Sequence, residues 1–346
     1  MNKVLKADLE DIVSSSSIDW RKLSGSTVLI TGATGSIGGA ITRAMAAADE
    51  HHTLNMRIIA CGRNMKKCEL LAAEYGVEVI CGDICDPGLF AGLAGDAFYI
   101  FHCAAITKSK DMAAKPADVM SVSAGGTQNM LELARRIDCK GFVYLSSMEV
   151  YGQGLGGDTD ETMLGYIDLL NPRSCYPESK RFCETLCAAY HAQYGVPVKI
   201  ARLAQTFGAG TPKDDTRVFA QIARSVVGGQ NIVLHTEGKS RGNYCYTSDA
   251  VRGLLSILLK GKSGEAYNIA NPAASATIRE MAELAAREIG GSRVKVVFDI
   301  PEDLSIHGYA PTVGYRLNAD KLMSLGWFPK YGLYCMYRRM IDDWEE

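Results

Sequence analysis

The chain has 346 residues, of which 47% are hydrophobic and 22% are charged, as in an ordinary globular protein. Its 37 lysine and arginine residues and 39 aspartate and glutamate residues give a net charge of −2, which excludes the basic footprint of a general nucleic-acid binder. The 11 cysteines lack zinc-ligand spacing, so they indicate free thiols in a reducing compartment and no metal site.

The sequence shows no secretory signal, no transit peptide and no apolar run of about 18 residues. These features predict a cytoplasmic protein without membrane contact. Residues 1–26 are expected to form an N-terminal extension that includes a short helix and ends before the first strand.

Short apolar runs alternate with helical patterns up to residue 207. The runs are continuously apolar, as in a parallel sheet that is covered by helices on both faces. The predicted strands are 27–31, 57–61, 77–81, 98–103, 141–146 and 197–202. The predicted helices are 37–48, 66–75, 118–137 and 176–194. This alternation predicts an α/β fold with a Rossmann-type, doubly wound parallel sheet.

The alternation is less regular after residue 207. The predicted helices there are 218–227, 248–259, 277–289 and 318–325, and the predicted strands are 232–234, 267–269 and 294–298. We expect a dinucleotide-binding domain with the catalytic residues at 27–207. A smaller, mainly substrate-binding α/β lobe is expected at 208–346, with an interleaved boundary.

The first predicted strand runs into a glycine-rich turn and then a helix. Gly32 permits a tight turn, Gly35 lets the backbone approach a pyrophosphate, and Gly38 lets the helix pack closely on the strand. The glycine spacing alone also fits an ordinary turn, but its place between strand and helix predicts nucleotide binding. The residues expected to contact the dinucleotide in this turn are Gly32, Thr34, Gly35, Ser36, Ile37 and Gly38.

The second strand ends without the acid that binds the ribose 2′-hydroxyl of NAD. The sequence there is Cys61-Gly62-Arg63-Asn64. Arg63 can pair with a 2′-phosphate, lie across the adenine or point into solvent. The cofactor is therefore NAD or NADP, with a slight balance in favour of NADP.

Tyr176 and Lys180 lie four residues apart at the start of a predicted helix, so their side chains share one face. An ammonium about 4 Å from a phenolate stabilises it by roughly 4 kcal/mol at an effective dielectric near 20. That is enough to bring the pKa of a tyrosine from about 10 towards neutrality, where it can act as a base for a sugar hydroxyl. With 16 tyrosines in the chain, the spacing alone also fits a chance match.

Further motifs, in chain order, resemble those of the extended short-chain dehydrogenase/reductases, the nucleotide-sugar epimerase/dehydratase family. Besides the glycine turn and the Tyr176–Lys180 pair, they are Gly82-Asp83-Ile84, His102-Cys103-Ala104-Ala105, Gly126-Thr127, Ser146-Ser147-Met148-Glu149, Arg202 and Tyr244-Cys245-Tyr246-Thr247-Ser248-Asp249. The resemblance covers nearly the whole chain.

The resemblance implies an NAD(P)-dependent enzyme that oxidises C4 of a nucleotide-diphosphate sugar, in a homodimer formed through helices 118–137 and 176–194. It implies that Tyr176 is the base, that Lys180 binds the nicotinamide ribose, and that Ser147 binds the hydroxyl being oxidised. The alternative for Ser147 is a strand-end serine bonded to the backbone. The further implied cofactor contacts are Asp83, Ile84, Ala104 and Ala105. The expected substrate contacts are Thr107, Ser147, Gln205, Arg217 and Arg241.

The chain departs from the family pattern at several positions. Ser123 stands where the family usually has asparagine, which affects a water or proton relay, and Gln205 also replaces an asparagine. Gly242 occupies the position of a diphosphate-binding arginine, with Arg241 one residue early and Arg217 as a spare candidate. The nucleotide-diphosphate part of the substrate is therefore less firmly predicted than the fold.

Glu149 bears on the type of reaction. The 4,6-dehydratases of the family carry an Asp-Glu pair there, whereas this chain has Met148-Glu149, and a thioether cannot donate a proton. We therefore rank epimerisation or decarboxylation above dehydration. One alternative is an enzyme resembling the UDP-glucuronate decarboxylases. If Glu149 is an ordinary loop acid, the alternative is an NADPH-dependent 4-keto-sugar reductase. A non-catalytic dinucleotide-binding sensor is the alternative from a different class.

Overall fold

The structure is a computed structural model that describes residues 2–301 and 314–346. In chain order the strands are β1 (Thr27–Thr31), β2 (Arg57–Gly62), β3 (Glu78–Cys81), β4 (Phe98–His102), β5 (Gly141–Ser147), β6 (Gly156–Thr159), β7 (Val198–Leu203), β8 (Gln205–Phe207), β9 (Ile232–Leu234), β10 (Arg241–Tyr246), β11 (Ala266–Ile269), β12 (Asn271–Thr277), β13 (Val296–Phe298) and β14 (Gly314–Leu317).

The α-helices surround these strands. They are α1 (Lys3–Val13), α2 (Ser36–His52), α3 (Met65–Tyr75), α4 (Ser109–Ala114), α5 (Pro116–Arg136), α6 (Cys175–Tyr194), α7 (Val218–Val227), α8 (Thr247–Lys260), α9 (Ile278–Ala285), α10 (Asp320–Met323) and α11 (Leu333–Glu345). Within the two described ranges, no helix combines the length and apolar character needed to cross a membrane.

Seven of the strands form one parallel sheet in the order β11-β7-β5-β4-β1-β2-β3. The strand order reverses beside β1, as in a doubly wound sheet, so the predicted fold class is confirmed. Because all strands run the same way, their carboxyl ends meet at one edge, where such sheets bind ligands.

The central strands are apolar throughout because both faces of the sheet are covered. All five residues of β1 and all six residues of β7 are buried. On one face α2 and α8 contribute to a core that includes Val28 and Ile30, and on the other face α5 packs over Leu29. Neighbouring residues of β1 therefore enter opposite cores, which explains why the strand lacks polar–apolar alternation.

The remaining strands form three smaller sheets, β12-β10-β8, β13-β9 and β14-β6. The strand β11 comes from the second half of the chain but joins the central sheet. The domain bounds at residues 207 and 208 stay a prediction, and residues 302–313 of the predicted lobe lie outside the described part.

The secondary structure differs from expectation mainly after residue 207. The helix expected at 277–289 begins with the last residue of β12, continues as α9 and ends in a π-helical turn, Ala286–Gly290. The helix expected at 318–325 is the single turn α10. The strands β10 and β12 were not predicted, because pairing with distant segments rather than local periodicity specifies them. The helix α11 was also not predicted, although its buried residues recur at helical spacing.

The N-terminal extension is tied to the second half of the chain. The helix α1 packs against α2, α8 and α11. Its buried Asp8 accepts hydrogen bonds from Tyr246 Oη at 2.6 Å and Arg339 Nη2 at 2.5 Å. A buried carboxylate with these two partners holds α1 and α11 together across both halves.

A buried chain of hydrogen bonds links β1, β4 and α5. The hydroxyl of Thr31 accepts hydrogen bonds from the backbone N–H groups of Cys103 and Ala104, so it donates its own proton to His102 Nδ1 at 2.9 Å. The other ring nitrogen of His102 then donates to Thr127 Oγ1 at 3.1 Å. Burial lowers the pKa of His102 from 6.5 to about 3, so the imidazole is neutral in the folded protein.

This arrangement predicts a pH-dependent stability. Because the pKa of His102 is lower in the folded protein, the unfolded chain binds a proton that the folded protein does not between pH 6.5 and about 3. The free energy of unfolding should therefore decrease as the pH is lowered through this range, by up to about 1.4 kcal/mol per pH unit from this group. In His102→Gln the free energy of unfolding should depend less steeply on pH, by the equivalent of about one bound proton. Urea unfolding between about pH 7 and 5 measures this slope.

His51→Gln, the same substitution at an exposed histidine of α2, is the matched control. Equal pH dependences in the wild type and His102→Gln would contradict the buried neutral histidine.

Candidate active site

The turn between β1 and α2 is so tightly packed that only glycine fits at two positions. Gly32 has a left-handed φ of +65°, and a Cβ there would lie 2.9 Å from the backbone of Ala104 at the end of β4. A Cβ at Gly38 would lie 2.3 Å from the carbonyl oxygen of Gly32. The first turn of α2 thus sits directly on the end of β1.

The residues of this turn fit the pyrophosphate of a dinucleotide. Gly35 caps α2 in an extended conformation without a side-chain hydrogen bond, and both Gly35 and Ser36 are exposed. The free N–H groups and the positive end of the helix dipole suit an anion there. Thr34 and Ile37 are half-buried on either side of this helix start.

The predicted adenosine contacts lie at neighbouring strand ends. Arg63 is exposed directly after β2, and Asp83 is exposed after the adjacent strand β3. Asp83 Oδ1 accepts a hydrogen bond from the N–H of Cys85 at 2.9 Å, which fixes the turn. Ile84 is buried, and its carbonyl oxygen accepts a hydrogen bond from Asn129 Nδ2 on α5 at 3.0 Å.

Ser147 and Tyr176 meet at the carboxyl edge of the sheet. Ser147 is the last residue of β5, and its hydroxyl accepts a hydrogen bond from the N–H of Glu149 at 3.2 Å. Tyr176 lies in the first turn of α6, is 8% exposed, and is close enough to the Ser147 side chain for that group to lower its pKa. The strand and the helix therefore place two hydroxyl groups side by side.

Lys180 lies one turn further along α6 and is also buried. Its Nζ donates to the carbonyl oxygen of Leu145 at 2.7 Å and lies 4.8 Å from the centre of the Tyr144 ring and 5.8 Å from that of Tyr176. Burial lowers the pKa of Lys180 to about 8. The hydrogen bond to Leu145 ties the Lys180 ammonium to the end of β5.

The pKa of Tyr176 lies above its ordinary value of 10. Burial and the negative charge of Glu149 raise it, whereas the hydrogen bond from Ser147 and the charges of Arg173 and Arg217 lower it. The pKa of Tyr176 thus moves in the direction opposite to the one expected from Lys180, because the desolvation of the phenolate outweighs the nearby positive charges. The effect of Lys180 on this pKa stays a prediction.

Glu149 faces the same cleft. Its side chain is 40% exposed and forms an ion pair with Arg173, with 3.3 Å between Oε2 and Nη2. The protein around the carboxyl group raises the pKa of Glu149, and Arg173 opposes this rise. Tyr315 Oη donates to the carbonyl oxygen of Met148 at 2.9 Å and so fixes the turn that carries Glu149.

Arg173 was missed by the sequence analysis. It lies in a short 3₁₀ helix, Pro172–Ser174, that leads directly into α6. The only sequence signal was an arginine three residues before Tyr176, and the distance of 24 residues to Glu149 concealed their pairing.

The predicted substrate contacts do not all come together. Thr107 is exposed in the loop after β4, and Arg217 lies close enough to Tyr176 to affect its pKa. Gln205 begins β8, and its Oε1 is buried without a hydrogen-bond partner among the described residues.

Arg241 is directed elsewhere. It pairs with Glu280 on α9 at 3.6 Å and donates to the carbonyl oxygen of Ser275 at 3.2 Å. Its neighbour Gly242 leaves no space for an arginine, because a Cβ there would lie 2.1 Å from Tyr244 Oη. No described contact joins Arg241 to the residues around Tyr176.

Comparison with known proteins agrees with this geometry. The sequence model of the NAD dependent epimerase/dehydratase family matches residues 28–270. The chain is 30% identical over 279 residues to UDP-glucuronic acid decarboxylase 5 of Arabidopsis thaliana, covering 80% of this chain and 79% of that one. It is 30% identical over 275 residues to UDP-glucuronic acid decarboxylase 1 of Danio rerio, covering 80% of this chain but only 63% of the relative.

Two solved structures illustrate the shared fold. UDP-glucose 4-epimerase from Thermotoga maritima, solved with UDP-glucose, has a TM-score of 0.77 at 20% identity and covers 92% of this chain and 98% of its own. DesIV, a dTDP-glucose 4,6-dehydratase from Streptomyces venezuelae with bound NAD, has a TM-score of 0.76 at 24% identity and covers 92% and 97%.

The chain therefore belongs to the NAD-dependent epimerase/dehydratase family. The predicted family is confirmed, and so is a nicotinamide dinucleotide as the cofactor of that family. The roles of individual site residues stay predictions.

Proposed function

We propose that the protein oxidises C4 of a UDP-linked sugar to a 4-keto intermediate and then acts as an epimerase/dehydratase-type enzyme. The observation that carries this proposal is the meeting of Ser147, Glu149, Tyr176 and Lys180 at the carboxyl edge of the sheet, beside the glycine turn. The uridine nucleotide is taken from the names of the curated relatives.

The chain's own residues supply binding and proton transfer. The glycine turn would hold the pyrophosphate, Asp83 the adenine and Lys180 the nicotinamide ribose, with Ala104 and Ala105 lining the nicotinamide side. When bound, the cofactor supplies the nicotinamide that would accept the hydride from C4. Tyr176 accepts the proton of the C4 hydroxyl, and the neighbouring Ser147 orients that hydroxyl.

Tyr176 needs positive charge around it to act as a base. Burial raises its pKa, so the phenolate depends on the cations that oppose this rise, Arg173 and Arg217. Arg217 also lies near enough to take part in substrate binding. Together with Gln205 and Thr107, it forms the proposed substrate contacts, and Arg241 is not included.

Glu149 is the proposed base for the second step. A 4-keto group acidifies the protons on C3 and C5, and Glu149 lies beside Tyr176 with part of its carboxylate open to the cleft. Met148 cannot donate a proton and is buried. The proposal therefore places epimerisation ahead of dehydration. Decarboxylation of UDP-glucuronic acid is the second candidate, favoured by the similarity to the UDP-glucuronic acid decarboxylases.

We also propose NADP as the preferred cofactor and a homodimer as the assembly. Arg43 and Lys67 line a shallow cavity beside Thr34 and add positive charge near the end of β2, where Arg63 lies. The helices α5 and α6 pack together and expose Met120 and Phe182, which supports the expected dimer surface. A cytoplasmic location stays a prediction.

The function is tested first with substrates. Purified protein with NAD or NADP is incubated with a panel of UDP-, GDP-, CDP- and dTDP-sugars, and near-ultraviolet absorbance and product mass are followed. Turnover of the UDP-sugars supports the proposal. Tight cofactor binding without turnover of any sugar nucleotide would overturn it in favour of a non-catalytic sensor.

Tyr176→Phe should lower turnover by at least about 100-fold, because the ring remains while the proton acceptor is lost. Cofactor binding, measured by fluorescence of the reduced nicotinamide, should be retained. Near-normal turnover would contradict the role of Tyr176 as the base.

Arg63→Ala should weaken binding of NADP by about 10- to 150-fold and leave NAD nearly unchanged, because a charge-assisted hydrogen bond to the 2′-phosphate is lost. Titration calorimetry with both cofactors measures this. Arg57→Ala is the control, since Arg57 is an exposed arginine at the other end of the same strand. Equal effects on both cofactors would show that Arg63 does not read the phosphate, and would favour NAD.

Glu149→Gln should block the second step only. Turnover of the wild type in D₂O should place deuterium at C5 or C3, whereas the amide cannot accept that proton. Oxidation at C4 should persist as bound reduced nicotinamide. Unchanged product mass indicates an epimerase, and loss of carbon dioxide indicates a decarboxylase. If the wild type releases water at a normal rate, the ranking of dehydration below epimerisation and decarboxylation is wrong. If Glu149→Gln changes no step, the enzyme is better described as a plain 4-keto reductase.

A further inference from the structure

The ion pair between Arg173 and Glu149 is long and partly exposed. The guanidinium nitrogen Nη2 lies 3.3 and 3.5 Å from the two carboxylate oxygens, whereas the surface pair Arg57–Glu78 has distances of 2.8 and 2.9 Å. Charge-assisted bonds are strongest near 2.7–2.9 Å. The side chains of Arg173 and Glu149 remain 33% and 40% exposed. A long, half-exposed ion pair loses little free energy when one of its members binds another partner.

The backbone of Arg173, in contrast, is firmly held. Asn171 Oδ1 accepts a hydrogen bond from the N–H of Arg173 at 2.9 Å, and Pro172 begins the 3₁₀ turn. The hydroxyl of Ser174 donates to the carbonyl oxygen of Asp168 at 2.6 Å. The turn continues directly into α6, so Arg173 has a fixed position relative to Tyr176. A fixed backbone with an exchangeable side-chain contact suits ligand recognition.

Arg173 differs from the other arginine near Tyr176. Arg217 is held by Asp215, with three contacts of 2.6 to 3.2 Å, and the Asp215 side chain is only 12% exposed. The charge of Arg217 is thus already matched by an acid that has no other role in the site. Among the described residues, the guanidinium of Arg173 bonds to Glu149 alone.

The position of the Arg173–Glu149 pair beside Tyr176 indicates which substituent of the sugar it would contact. If Tyr176 serves the hydroxyl on C4, a base beside it can serve either adjacent carbon, C3 or C5, and only C5 carries a carbon substituent that can be a carboxylate. Arg173, the ion-pair partner of Glu149, then lies next to the substituent that C5 carries. A neutral hydroxymethyl substituent offers no charge to Arg173, whereas a carboxylate accepts two parallel N–H bonds from a guanidinium.

Building on the proposed function, we infer that Arg173 is a specificity-determining residue that binds the C5-linked carboxylate of a hexuronic acid nucleotide. The substrate carboxylate replaces that of Glu149 on the guanidinium. Glu149 is released by this exchange and becomes free to accept the C5 proton. With a neutral hexose, Glu149 stays paired with Arg173, so the second step is slow. Binding of the correct sugar and exposure of the base are thus coupled.

The test compares UDP-glucuronic acid with UDP-glucose on the holoenzyme. Arg173→Met should raise KM for UDP-glucuronic acid by about 10- to 100-fold and change that for UDP-glucose by less than about 3-fold. Arg173→Lys should recover part of the loss, because it restores the charge but not the two-pronged geometry. Arg57→Met is the matched control: it also removes an arginine from an ion pair, but at the amino edge of the sheet.

The pH dependence gives a second readout, which a purely structural role would not change. Arg173 lowers the pKa of Glu149 by its charge and hydrogen bond. In Arg173→Met the acidic limb of deuterium incorporation at C5 should therefore move to higher pH, whereas Arg57→Met should leave it in place.

The outcomes are distinct from those that test the function itself. Equal increases in KM for both sugars, or no increase for either, would overturn the inference while C4 oxidation by the wild type still supports the proposed function. If the wild type turns over neither sugar, both fail. Unchanged circular dichroism and cofactor affinity in Arg173→Met exclude unfolding as the cause of a loss.

Discussion

The close contact between the end of β1 and the end of β4 is the constraint on which the candidate site depends. Gly32 can lie against the backbone of Ala104 only because it lacks a Cβ and adopts a left-handed conformation. The hydroxyl of Thr31 secures the same contact by accepting two backbone N–H groups of the β4 end and donating to His102. The glycine turn, and with it the start of α2, is thereby fixed relative to the end of β4, where the proposed nicotinamide contacts Ala104 and Ala105 lie.

The site is also shaped by the free-energy cost of burying charged groups. Burial favours the neutral forms of Tyr176, Lys180 and Glu149, and so opposes the charged states that the proposed chemistry needs. Arg173 counteracts this effect on both Glu149 and Tyr176. A single guanidinium therefore links the protonation of the two proposed bases, which gives a physical reason why a substrate that engages it would affect both steps.

The second half of the chain completes this arrangement from the other side. Tyr315 of β14 supports the turn that carries Glu149, and β8 brings Gln205 to the same edge. The buried Asp8 joins α1 to Tyr246 and to Arg339 of α11, so that the two ends of the chain stabilise the lobe together. Tyr244, folded over Gly242, occupies the space of the arginine that the family pattern would place there. The proposed contact for a nucleotide diphosphate is therefore Arg217, which lies near enough to Tyr176 to lower its pKa.

The sequence by itself determined the parallel sheet, the glycine turn, and the roles expected of Ser147, Glu149, Tyr176 and Lys180. The sheet and the turn depend on local periodicity and on backbone conformations open only to glycine, whereas the expected roles of the four residues came from the resemblance of their motifs to those of the family. Only the tertiary structure decided the pairing of Glu149 with Arg173, the separation of Arg241 from the site, the position of the Lys180 ammonium, and the strands β10 and β12. Each of these depends on which distant segments pack together and on how far burial changes the charge of a side chain, and neither quantity is encoded in local sequence spacing.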